Sequence, residues 1–286
     1  MAQATLGFIG LGVMGAPMCR NLARKSGARI LAFDLKAVPG FTTVGSIRET
    51  AQADIIFLSL PGEPEVRAVC AGLLQHARSG QAIVDCSTAP VALARELAAA
   101  FAARGAQFAD APVARTRQAA IDGTLSITVG AEEGLYRRIE PLLLCMASDV
   151  THCGAPGAGQ AVKLLNNMVL STTVMALAEA LAVAKASGAV DAKVLFDALA
   201  KGSADSFALR NHGMNALLPE SHPERAFPVT YMLKDLGYAL ELARAAGLEL
   251  LGAGTARRLL EETAALGLGE AYHTALIEAV RRHRPG

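Results

Sequence analysis

Three glycines, a carboxylate and a lysine are the residues whose types and spacing could do chemistry. Gly10, Gly12 and Gly15 are spaced G-x-G-x-x-G behind an apolar run containing Leu6, Phe8 and Ile9. In that spacing the first glycine permits a tight strand-to-helix turn, and the second lets a pyrophosphate approach the main chain. The third lets the new helix pack close to the strand. The N–H groups and positive dipole end of that helix then face the phosphates. A second apolar run, Arg29 to Phe33, ends in Asp34, 19 residues after Gly15. An acid at about that distance accepts hydrogen bonds from an adenosine ribose and repels a 2′-phosphate. The two features together predict a dinucleotide site preferring NAD to NADP, edged by Gly10, Leu11, Gly12, Gly15 and Asp34.

A nicotinamide cofactor carries the hydride and leaves the protein to supply a proton and orientation. Lys163 and Asn167 are four apart in Val162-Lys-Leu-Leu-Asn-Asn167 and share one helix face. A lysine partly desolvated beside a cofactor loses basicity and suits proton transfer to a carbonyl oxygen; the alternative is a solvated lysine at a helix start. Arg115, in Asp110-Ala-Pro-Val-Ala-Arg-Thr116, could present a planar fork to a carboxylate, phosphate or sulfonate. The alternatives are a surface arginine, or one that pairs with an acidic side chain and props its loop. Lys234-Asp235 forms a third polar group, at a helix start where an exposed, capped turn is the alternative.

These residues need elements to hold them. Residues 1–155 alternate short β-like runs with helical stretches; beyond the first two, the strands are expected at about 54–59, 81–85, 106–109, 125–129 and 149–152. Such alternation implies a parallel sheet covered on both faces, with ligands beyond the carboxyl ends of its strands. Those ends carry Gly10 to Gly15, Asp34, Leu60-Pro61, Ser87-Thr88 and the segment from Asp110. After the glycine-rich stretch Gly154 to Gly159 only helical periodicity remains, at about 160–187, 191–201, 204–214, 230–247, 252–266 and 271–283. The expected α/β architecture is an N-terminal Rossmann dinucleotide-binding domain over 1–157. An all-α domain over 158–286 follows it, for substrate binding and oligomerisation.

A formal net charge of +1 over 286 residues offers no basic field for nucleic acid. Five scattered cysteines show no disulfide framework, and six dispersed histidines show no metal-ligand spacing, so no metal is expected. The chain is expected to open on a strand with no signal peptide, which with the cysteines predicts a cytoplasmic protein. Met168 to Ala186 is strongly apolar, yet Glu179 and Lys185 interrupt it. It is read as a buried helix of a soluble protein rather than a membrane span. Its apolar surface exceeds what one small helical domain covers, so a homodimer or homotetramer is expected.

The pieces GFIGLGVMGAPMCRNL (7–22), Ser87-Thr88, DAPV (110–113), Gly123-Thr124-Leu125, GAGQAVKLLNN (157–167) and LKDLGYAL (233–240) together resemble the β-hydroxyacid dehydrogenase family. That family includes 3-hydroxyisobutyrate dehydrogenase and tartronate semialdehyde reductase. The resemblance implies a Rossmann domain and an all-α domain with the active site between them, acting with NAD on a small anionic hydroxyacid or semialdehyde. It implies that Lys163 is the catalytic lysine and Asn167 its substrate-orienting partner. It also implies cofactor contacts at Val13, Met14, Asp34, Leu60, Pro61, Thr88 and Lys234. Where most members read Ser-Gly-Gly after DAPV, this chain reads Ala114-Arg115-Thr116. That loop and Asn166 are similar to the sulfolactaldehyde reductase branch, in which the arginine faces a sulfonate; a serine of that branch falls on Leu170 here. The substrate-binding set implied is Ala114, Arg115, Thr116, Asn166 and Asn167. Competing readings are an NADP-dependent reductase of tartronate or succinic semialdehyde, and a catalytically silent dinucleotide-binding scaffold.

Overall fold

The computed structural model describes residues 5–224 and 227–283. The chain divides into two compact units, residues 1–163 and 164–286. The first is built on an eight-stranded sheet with helices α1 (Gly15–Ser26), α2 (Ile47–Thr50), α3 (Glu63–Leu74), α4 (Val91–Ala102), α5 (Arg117–Asp122) and α6 (Glu133–Leu143). Its strands are β1 (Thr5–Ile9), β2 (Arg29–Phe33), β3 (Ile55–Leu58), β4 (Ala82–Asp85), β5 (Gln107–Asp110), β6 (Val113–Ala114), β7 (Leu125–Gly130) and β8 (Ala147–Gly154). The order is β2-β1-β3-β4-β5-β7-β6, with β8 paired to β7. Chain direction across the sheet reverses between β1 and β3, the switch point where an open α/β sheet leaves a crevice at its carboxyl edge.

Side-chain alternation divides the core between two faces. Phe8, Phe57 and Val84 pack on one face with Met18 and Leu22 of α1 (Gly15–Ser26). Ile9, Ile56 and Ile83 pack on the other with Leu97 and Phe101 of α4 (Val91–Ala102). All four residues of β3 and of β4 are buried, as central strands covered on both sides must be. The first five strands are mutually parallel, as expected from the alternation. Beyond β5 the expectation of a wholly parallel sheet is corrected. β7 runs antiparallel to β5 and to the two-residue β6, while β8 runs parallel to β7. A parallel return carries its crossover over a face of the sheet, usually as a helix. The link here folds back through Pro112 and β6, and its helix, α5 (Arg117–Asp122), has only six residues.

The second unit is helical: most of α7 (Ala158–Ser187), then α8 (Ala192–Leu199), a π-helical segment (Leu209–Leu217), α9 (Val229–Ala245) and α10 (Leu251–Thr263). A short 3-10 turn (His273–Leu276) runs into the brief α11 (Ile277–Val280). Val174, Leu177, Leu181, Phe196, Met232, Leu236 and Leu260 form its centre. A single helix over 271–283 does not form. His273 N–H donates to Phe227 O (3.0 Å) and Val229 N–H to Ala271 O (3.0 Å), a strand-like pairing that occupies the backbone where the helix would begin.

Helix α7 is long and apolar enough to cross a membrane by length and composition. Val174, Leu177, Ala178 and Leu181 are buried in the core of the unit, whereas Val162, Leu165, Val169 and Val183 are exposed. Within one chain the helix thus buries one stripe and leaves a second apolar stripe exposed. The division between the units falls inside α7 rather than at its start, because the first turn of α7 is bonded to the sheet.

Candidate active site

The loop after β1 is shaped by its glycines. Gly10 sits at φ +95°, and a Cβ there would run into the Ser59 carbonyl oxygen; one on Gly15 would run into that of Gly10. Packing within the protein therefore demands both glycines. Gly12 differs: a Cβ would meet nothing within 4 Å, so the space before it is open. An open approach to main chain at the start of a 12-residue helix is what a pyrophosphate requires. The structure fits the cofactor on this observation, and on Asp34. The Oδ2 atom of Asp34 accepts from Leu11 N (2.7 Å) and its Oδ1 from Lys36 N (3.0 Å). The carboxylate is thereby fixed beside the glycine turn. Val13 is exposed and Met14 partly buried in the same loop.

Across the switch point, Leu60 N donates to Ser87 Oγ (2.9 Å), and Ser87 N donates to Asp85 Oδ1 (2.9 Å). Pro61 follows, exposed, and Thr88 is partly exposed between the buried Ser87 and Ala89. At the end of β5, Asp110 is wholly buried. Its Oδ1 accepts from Gly157 N (2.6 Å) and its Oδ2 from Gln160 N (2.7 Å), which caps α7 with an anion at the positive end of the helix dipole. Burial pushes the Asp110 carboxyl up to about 6, against the pull of these backbone N–H groups. Gly159 packs so close to β7 that a Cβ would press on the Thr128 carbonyl oxygen. Lys163, partly buried, lies one turn into the helix so anchored.

The Ala114-Arg115-Thr116 loop departs from an open anion fork. Arg115 keeps a glycine-like backbone at φ +84°, a conformation that strains a residue with a side chain. Its guanidinium is engaged inside the first unit: Nη1 donates to Thr124 O (2.7 Å) and Ser148 Oγ (2.7 Å), and Nη2 to Asp149 Oδ2 (2.6 Å). The Ser148 hydroxyl and then Arg115 hold the Asp149 carboxyl below the usual carboxylate range. Thr116 Oγ1 accepts from Ala119 N and caps α5. These three bonds let Arg115 brace its loop against β8 and the residue before β7.

The second unit gathers a different set. Asn167 Nδ2 donates to Asp235 Oδ2 (2.7 Å), and Asn166 Nδ2 donates to Asn167 Oδ1 (3.2 Å). Lys234 Nζ lies 3.2 Å from Asp235 Oδ1, an ion-pair contact without hydrogen-bond geometry, and 5.6 Å from the ring centres of Tyr231 and Tyr238. Asp235 is only 2% exposed, so it joins Asn167 to Lys234 in the interior rather than standing in an exposed turn. Sequence reasoning singled out the Lys234-Asp235 pair but missed this link. It also missed Gln160, Ser87 and Asp110 as anchors. The signal available was polar side chains set among apolar neighbours.

Known proteins carry the same architecture. Residues 5–154 match the model of the NAD binding domain of 6-phosphogluconate dehydrogenase, and residues 157–280 match that of the NAD-binding region of NADP-dependent 3-hydroxyisobutyrate dehydrogenase. The chain is 34% identical to 2-(hydroxymethyl)glutarate dehydrogenase of Eubacterium barkeri, over 96% of this chain and 93% of that protein. It is 36% identical to the NAD-dependent L-serine dehydrogenase of Pseudomonas aeruginosa, over 84% and 85%. The solved structure of Mycobacterium tuberculosis 3-hydroxyisobutyrate dehydrogenase with L-serine superposes with a TM-score of 0.89 at 32% identity, covering 98% of this chain and 99% of that one. The glycine turn, the fixed Asp34 and the anchored lysine helix thus belong to a Rossmann oxidoreductase that uses a nicotinamide dinucleotide, and the chain is a member of the β-hydroxyacid dehydrogenase family.

Proposed function

We propose that this protein interconverts a small β-hydroxyacid and its semialdehyde with NAD, and that Lys163 moves the proton. One observation carries the reading. The helix bearing Lys163 is capped by Asp110 at the end of β5 and tied to Ser87 after β4, on the sheet edge that also holds the glycine turn and Asp34. When bound, the dinucleotide accepts or supplies the hydride. In oxidation Lys163 Nζ takes the proton of the substrate hydroxyl; in reduction it returns that proton to the carbonyl oxygen. Asn167 orients the substrate, itself fixed by Asp235.

NAD is favoured because the Asp34 carboxylate is pinned where a 2′-phosphate would meet it at like charge. Lys234, with Leu60, Pro61 and Thr88, completes the proposed cofactor contacts. The anionic end of the substrate is assigned to the 114–116 loop and Asn166. With the Arg115 guanidinium engaged by Asp149, Ser148 and Thr124, a carboxylate substrate fits this loop better than a sulfonate that needs the free fork. The exposed stripe Val162, Leu165, Val169 and Val183 supports a homodimer or homotetramer. The free, buried cysteines Cys19, Cys70, Cys86 and Cys145 support a reducing, cytoplasmic setting.

The test is a turnover panel with NAD and NADP: L-serine, 3-hydroxyisobutyrate, glycerate, threonate and dihydroxypropanesulfonate, with tartronate and succinic semialdehydes in the reverse direction. Turnover of a carboxylate member with NAD supports the reading. Binding of NADH without turnover of any member would favour a silent scaffold, and turnover confined to the sulfonate would move the protein to the sulfonate branch.

A further inference from the structure

The side chain of Gln160 is wholly buried, and both halves of its amide are in use. Nε2 donates to Ser87 O (2.7 Å), and Oε1 accepts from Ala89 N (3.2 Å). Those two main-chain groups flank Thr88, so the amide grips the segment as a neighbouring strand would. Ser87 Oγ meanwhile accepts from Leu60 N (2.9 Å), and the main-chain N–H of Gln160 donates to Asp110 Oδ2 (2.7 Å). One continuous path of hydrogen bonds, buried except at its partly buried first step, therefore runs from Leu60 through Ser87 and Gln160 to Asp110. It ends in the helical turn that carries Lys163.

We infer that Gln160 is a positioning residue, whose side-chain amide sets the spacing between the Ser87–Ala89 segment, with Thr88 at its centre, and the turn of α7 that presents Lys163. The inference rests on Lys163 being the proton-transfer group. The geometry demands a primary amide, because one donor must face Ser87 O while an adjacent acceptor faces Ala89 N. Methionine has similar length and volume but would leave both main-chain groups buried and unpaired. An ionised glutamate would keep the acceptor, lose the donor and set a negative charge against a carbonyl oxygen. A protonated glutamic acid restores the donor.

The experiment compares Gln160→Met, Gln160→Glu and Lys163→Ala with the unaltered protein. Amide hydrogen exchange is followed without cofactor in peptides spanning 85–90 and 157–164. Rates are measured with NAD and the best substrate of the panel above. For Gln160→Met we expect faster exchange in both segments and a kcat about 10–100-fold lower at little-changed KM, the scale of a displacement approaching 1 Å at a reacting group. The kcat of Gln160→Glu, divided by that of the unaltered protein at each pH, should rise as pH falls from 8.5 to 6. A Gln160→Met protein with unaltered kcat, whether or not exchange quickens, overturns the inference. Should that variant fail to fold, a ratio for Gln160→Glu that stays flat with pH overturns it instead. Full activity in Lys163→Ala would defeat the proton-transfer reading on its own. Full activity in Gln160→Met beside an inactive Lys163→Ala defeats only the positioning role.

Discussion

At Asp34 both carboxylate oxygens accept main-chain hydrogen bonds, from Leu11 and Lys36, so the side chain has one orientation. Asp34→Ala removes a ribose acceptor and also strips Leu11 N–H of its partner. Loosening of the loop weakens both dinucleotides, whereas loss of the ribose bonds and of charge repulsion separates them. NADH binding should weaken by about 1.5–3 kcal/mol, the scale for hydrogen bonds to a charged group, while NADPH binding weakens less or improves. Fluorescence titration with each cofactor checks this, and equal losses would make Asp34 structural. At Lys163 the expectation is kinetic. Lys163→Ala should lower kcat by roughly 10²–10⁴, the usual worth of a positioned acid or base, with NADH affinity nearly unchanged. A variant retaining more than a tenth of the original kcat would refute the assignment.

The loop between β6 and α5 shows how an element constrains a residue. Arg115 stands where the family pattern has glycine, and it keeps the glycine backbone at φ +84°. The left-handed conformation costs a side-chain-bearing residue about 1–2 kcal/mol, offset by bonds from the guanidinium to Thr124, Ser148 and Asp149. Arg115→Gly loses the bonds together with the strain, while Arg115→Ala loses the bonds and keeps the strain. Thermal denaturation should therefore rank Arg115→Ala below Arg115→Gly by about 1 kcal/mol, the usual glycine advantage at positive φ. If the brace is the role of Arg115, the ratio of kcat/KM for sulfonate and carboxylate substrates should stay unchanged in Arg115→Ser. A ratio that falls at least tenfold would return the guanidinium to anion recognition.

On the scale of the molecule, the helical unit contains a deeply buried histidine. His273 is wholly buried against His212, Tyr272 and Phe227, with no hydrogen-bond partner for either ring nitrogen among the described residues. Burial, with His212 and His222 nearby, pushes its pKa from 6.5 down to about 3. Between those values the unfolded chain binds a proton that the native chain does not. Stability is therefore present above pH 6.5 and is lost as pH falls toward 3, at up to about 1.4 kcal/mol per pH unit. Urea denaturation of the protein and of His273→Phe across that window should show a shallower acid loss in the variant; parallel curves would remove His273 as the cause. Light scattering at micromolar concentration should show more than one chain per particle. Val183→Glu should weaken that assembly if the exposed stripe of α7 is the seam.

The dinucleotide turn, the five parallel strands and the helical second half were legible in the sequence. Each is a local event: glycine spacing, a strand end or an apolar period acts over a few residues, so composition along the chain reports it. That Lys163 and Asn167 share one helix was legible for the same reason, since a four-residue spacing defines a helix face. The tertiary structure decided what depends on partners distant in the chain. Arg115 meets Asp149 across 34 residues, Gln160 meets Ser87 across 73, and Asn167 meets Asp235 across 68. The reversal of β7 and the strand-like pairing before His273 are likewise settled by neighbours that arrive from elsewhere. A side chain's type states what bonds it can make; only the fold brings a particular donor within 3 Å of a particular acceptor, which is the range over which those bonds act.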